Sequence, residues 1–123
     1  MPAVIALVTG LLLVSATLGA VAASVRNGHL GRNQVLGIRT KRTLHCDECW
    51  AVGHRASVPD LRRALWVGLA AAGVSAALAV SLAGQSWGEG VAMAAAGTGY
   101  LAVVTLGVRS ATTASRAARR LHP

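Results

Sequence analysis

The 123-residue chain has no phenylalanine, one tyrosine and three tryptophans. Only 13% of its residues are charged and only four are acidic. Soluble domains carry about 25% charged residues. So little charge cannot cover the surface of a small soluble globule. Disorder is excluded as well, because it requires low hydrophobicity and high charge, whereas 54% of this chain is hydrophobic. The scarcity of aromatics removes the stacking platforms on which single-stranded nucleic acids are held. No glycine-rich phosphate loop, H-E-x-x-H or G-x-S-x-G occurs, so the common enzymatic signatures are missing.

What is present is alanine, valine and leucine in long runs. Residues 3–25, 64–87 and 90–108 contain no charge. A bilayer core of about 30 Å needs about 20 helical residues, and strand-like alternation is absent. The sequence therefore predicts an all-α membrane protein: a single domain over 1–123 with three transmembrane helices. No Asp, Glu, Lys, Arg or His falls within a span. Such groups mark proton and ion paths, and their absence argues against a pump or a proton-coupled transporter. Small residues recur at helical spacing, as in Ser15/Gly19, Gly68/Ala72 and Ala95/Gly99, and let helix backbones approach closely in lipid. Packing within a three-helix bundle is the simpler use of them; a homo-oligomer seam is the other. Tyr100 falls near mid-span, where its hydroxyl needs a partner on a neighbouring helix. Trp66 and Trp87 stand at opposite ends of the second run, as interfacial anchors do.

The net charge of +8 follows from topology. Basic residues lie only in the 26–63 loop and after residue 108. Basic loops stay cytoplasmic, which predicts an N-terminus outside, the loop and the 109–123 tail inside, and a location in the bacterial inner membrane. No basic stripe is left over for nucleic acid. Ala20-Val21-Ala22 resembles a signal-peptide cleavage site, but no basic region precedes the apolar run, and cleavage would strand the basic loop outside.

The loop carries the remaining information. Asp47 and Glu48 favour a helix start and His54 and Arg55 a helix end, predicting a short amphipathic surface helix over about 46–56. Ser57-Val58-Pro59-Asp60 reads as a capping box opening the second membrane helix. Around that helix stands the pattern Asn33-x3-Gly37-Ile38-Arg39-Thr40, then Thr43-Leu44-x2-Asp47-Glu48-x-Trp50-x3-His54-Arg55. It resembles the SdpI family of bacterial membrane proteins. Many members have Pro and an aromatic residue where this chain has Lys41 and Arg42, and often Ser where it has His45 and Cys46.

The resemblance implies a non-enzymatic protein of toxin immunity or membrane-level signalling. Its partners would be the lipid bilayer and a protein: a secreted or membrane-inserted toxin, a transcriptional repressor, or a larger complex. A small accessory subunit of such a complex is the alternative. The binding residues would be Asn33, Gly37, Ile38, Arg39, Thr40, Thr43, Asp47, Glu48, Trp50, His54 and Arg55. Arg39 would pair with Asp47 or Glu48, contact lipid phosphate, or meet a partner's acidic group. Trp50 is an interfacial anchor or a binding platform, and His54 a hydrogen-bonding residue at a helix end.

Cys46 and Cys49 form a C-x2-C. On a cytoplasmic side that keeps thiols reduced, a disulfide is not expected. Nor is a metal: His54 lies about 12 Å along the helix from Cys46 at about 1.5 Å per residue, too far for one ion. With His45 the chain offers three ligands at most. No cofactor is expected.

Overall fold

The computed structural model describes residues 1–32 and 35–123. Three α-helices follow one another: α1 (Pro2–Arg26), α2 (Asp47–Ser81) and α3 (Gly88–Arg119). Each is long and apolar enough to cross a membrane. α1 opens with Pro2 at its first position, where a missing N–H costs nothing. It ends at Arg26, just before Gly28 turns the chain at φ +70°. Gly84, at φ +93°, turns the chain between α2 and α3.

α2 lies between the other two helices and packs on both. Its small residues make this possible. A Cβ at Gly68 would strike the Ser15 side chain of α1, and one at Gly19 would lie 2.8 Å from Leu65 Cδ2. A Cβ at Gly99 of α3 would strike Ala71 and stand 3.0 Å from Leu11 Cδ2. The core they surround contains Leu11, Ala64, Ala72 and Val103. Tyr100 Oη donates to the Leu7 carbonyl at 3.1 Å, tying α3 to α1 as its mid-span position demanded. Ser75 Oγ donates across to the Ala92 carbonyl at 2.7 Å. Thr17, Thr98 and Thr105 instead bond back to the preceding turn. Outward, Ile5, Leu13, Trp66, Val74, Val80, Leu101 and Val104 are exposed. Solvent would penalise that surface and lipid does not.

The predicted surface helix is not a separate element. Residues 47–56 are the first turns of α2, which continues through Pro59 into the membrane-spanning part. Proline breaks a helix by removing one bond and crowding the carbonyl four residues back, and read locally it marks a start. Here packing outweighs it. Gly53, His54, Ser57 and Leu61 are all buried, and Gly53 passes so close to α3 that a Cβ would lie 3.0 Å from the Ala114 carbonyl. Asp60, read as part of a cap, instead faces Arg63 at 3.4 Å. α2 also ends earlier than the apolar run: Trp87 caps the start of α3 rather than closing α2. The predicted basic tail is largely helical, with Ser110, Ala114 and Ala118 buried at four-residue spacing. α2 and α3 thus run on together beyond the apolar region, and the basic residues gather at that end. At the other end Glu89 meets the Met1 amine.

Candidate functional site

At the basic end, the chain from Leu36 to Thr43 folds back onto the first turns of α2. Gly37 has φ +132°, a conformation that L side chains rarely adopt. A Cβ there would lie 2.8 Å from His54 Nε2 and from the Trp50 ring. Glycine therefore lets the backbone pass directly over these two side chains. The next N–H, that of Ile38, donates to His54 Nε2 at 2.7 Å. His54 Nδ1 lies 2.9 Å from the Trp50 carbonyl. With Nε2 an acceptor, the proton belongs on Nδ1, so the ring is neutral and both nitrogens are engaged. His54 is three turns short of the apolar stretch, separated from it by Asp60, Arg62 and Arg63. Burial lowers its pKa from 6.5, and the bond to the Trp50 carbonyl opposes that shift without cancelling it.

Trp50 stacks on His54 with ring centroids 4.0 Å apart. Its indole N–H donates to the Leu30 carbonyl at 3.0 Å, holding the turn that leaves α1. Thr43, fully buried, closes the loop on itself. Its hydroxyl donates to the Ile38 carbonyl at 2.7 Å and accepts from the Thr40 N–H at 3.0 Å. Thr43 N–H in turn donates to Thr40 Oγ1 at 3.2 Å. Ser115 Oγ, from α3, reaches Thr40 Oγ1 at 2.9 Å. The result is a clamp that joins the loop, α2 and α3.

Of the residues that sequence singles out, Gly37, Ile38, Thr40, Thr43, Trp50 and His54 come together in this clamp. Trp50 is neither an exposed anchor nor an open platform, because it is buried. Arg39, Asp47, Glu48 and Arg55 lie outside the clamp and are exposed. Asn33 lies outside the described residues. Asp47, one of the two carboxylates considered for Arg39, is held by Arg32 Nε at 2.9 Å. Arg39 borders a cleft of about 420 Å³ between α1, the loop and α3, lined also by Thr17, Val21, Leu36 and Gly107. Gly53 and Ser115 are the members that sequence reading misses. A glycine inside a predicted helix, and small residues continuing every fourth position past residue 108, were the signals for them.

Cys46 and Cys49 are paired as a disulfide, against the expectation of free thiols. Cys46 caps α2 with extended backbone and turns its sulfur back over the first turn, where it also accepts from Cys49 N–H at 2.9 Å. Local helix-start geometry brings the sulfurs together, and an argument from compartment cannot foresee that.

The SdpI/YfhL family model matches residues 29–111, which include the whole clamp except Ser115. The chain belongs to the SdpI/YfhL protein family. No curated protein and no solved structure matches it. Family membership and three apolar helices together make this SdpI/YfhL protein a multi-pass integral membrane protein, with the bilayer as its environment.

Proposed function

We propose that this SdpI/YfhL family member works by binding and not by catalysis, as an immunity or signalling protein of the bacterial inner membrane. The basic end faces the cytoplasm. The spans meet an external or membrane-inserted toxin, and the basic end conveys that occupancy to a cytoplasmic protein. The observation that carries this reading is how the motif spends its polar groups. Both nitrogens of His54, the indole N–H of Trp50 and the hydroxyls of Thr40 and Thr43 are bonded internally. The site's one histidine is thereby occupied as a strut. Next to the clamp, the apolar pair Val35 and Leu36 is exposed together with Arg39, a surface suited to a protein contact.

An accessory subunit of a larger complex is the second reading. Gly73, Gly97 and Gly107 favour it, because a Cβ at any of them would meet nothing within 4 Å. Open glycines on membrane helices are places where another helix can dock.

Deleting the gene should sensitise cells to their wild-type siblings in co-culture. The wild-type chain should restore protection, and Arg39→Ala at equal membrane abundance should not. Unchanged fitness of the deletion strain, together with a stoichiometric large complex in mild detergent, would replace this reading with the subunit one.

A further inference from the structure

The clamp leaves one group of chemically capable side chains unused, beside it at the start of α2. The ligand atoms of Cys46, Cys49 and His122 all lie within 4.8 Å of one another. The His45 ring stands edge-on to that of His122, with centroids 5.1 Å apart. His122 follows the last turn of α3 and is tethered there: Leu121 N–H donates to the Ala118 carbonyl at 3.2 Å, and Arg42 Nη1 to the His122 carbonyl at 3.5 Å. Sequence spacing left three ligands at most because it considered only residues near the cysteines. The joint extension of α2 and α3 brings His122 to the cysteines from the far end of the chain, which makes three; His45, outside that group but against the His122 ring, is the candidate for the fourth. His54, the ligand that distance excluded, is engaged elsewhere through both nitrogens.

We propose that Cys46, Cys49, His45 and His122 bind one divalent ion of the zinc class when the cysteine pair is reduced. Two thiolates and two imidazoles are a donor set that tetrahedral zinc favours, with bonds of about 2.3 Å to sulfur and about 2.0–2.1 Å to nitrogen. The setting suits thiolates. Both cysteines lie at a helix N-terminus, where negative charge is stabilised, and Cys49 N–H already points at Cys46 Sγ. The disulfide and the metal site are alternative states of the same sulfurs. A cellular dithiol supplies two electrons and two protons, breaking the Cys46–Cys49 bond and ending as a disulfide itself. The ion then displaces both thiol protons. Oxidation by a disulfide reverses the exchange and expels the ion. The bound ion would pin the end of α3 to the start of α2, next to the Thr40–Ser115 contact.

The full chain, carrying no polyhistidine tag and reduced in mild detergent, is titrated with cobalt(II) without oxygen. About one equivalent should bind, giving tetrahedral ligand-field bands and a thiolate-to-cobalt charge-transfer band, both erased by zinc. Disulfide-oxidised protein should bind none. His122→Ala and His45→Ala change exposed side chains, so folding is spared. Each should weaken binding by about tenfold or more, a loss that even outer-shell partners can cause. His29→Ala, on the exposed turn after α1, should change nothing. A reduced protein that binds no cobalt, an oxidised one that binds it equally, or wild-type affinity in either His45→Ala or His122→Ala overturns the proposal.

Discussion

His54 shows how far one side chain can commit a loop. It is neutral because its Nε2 must accept the Ile38 N–H, and a proton there would set donor against donor. Its pKa is lowered from 6.5, chiefly by burial, so the unfolded chain takes up the proton first. Stability present at higher pH is then lost as pH falls below 6.5 towards the folded-state value. Unfolding by SDS in mixed micelles should show this. The wild-type midpoint should fall between the two sides of pH 6.5, and that of His54→Gln, which cannot titrate, should fall less. A parallel response in both would mean that other groups set the pH dependence. That His54 would form hydrogen bonds was legible in sequence, but it was expected at a helix end and lies inside α2. Its partner was not legible, because Ile38 lies across a loop whose path depends on the conformation of Gly37.

Among the elements, the close approach of α1 and α2 rests on Gly68. A Cβ there meets Ser15, whose buried hydroxyl has no partner among the described residues. Gly68→Ala should cost about 1–3 kcal/mol by overpacking, read as an earlier SDS midpoint. Adding Ser15→Gly should recover most of that loss. Gly97→Ala faces open space and should be neutral or slightly stabilising, since alanine is the better helix former. Equal effects at Gly68 and Gly97 would discount the helix contact. The small-residue spacing named Ser15 and Gly68 correctly, because in lipid steric fit is the main thing such a face can supply. The break at Pro59 misled for the opposite reason. A local rule about proline says nothing of Gly53, Ser57 and Leu61, whose burial against the loop, α1 and α3 carries the helix onward.

For the whole molecule, three spans and their order could be read from the uncharged runs alone, since hydrocarbon tolerates so few alternatives. The paired helical extensions could not, because they are held by contacts between residues 53 and 114 that no local pattern encodes. Orientation rests on the basic residues, and it can be tested with the native cysteine pair replaced by serine. Gln85→Cys, on the exposed turn between α2 and α3, should react with an impermeant thiol reagent in intact cells. Lys41→Cys, on the exposed clamp loop, should react only after permeabilisation. The reverse pattern would invert the topology and place the C-x2-C on the oxidising side.

The continuity of α2 has a mechanical consequence. Its segment 47–63 extends the membrane-spanning part by about 25 Å at about 1.5 Å per residue. A rod of that length magnifies small rotations. A tilt of about 5° moves its tip by about 2 Å, on the geometry of a straight helix, comparable with the 2.7 Å span of the Ile38–His54 bond. The loop must therefore travel with α2 or release it. An angular disturbance at the outer face would arrive at the other side as a bond kept or broken, which turns a graded displacement into a discrete signal.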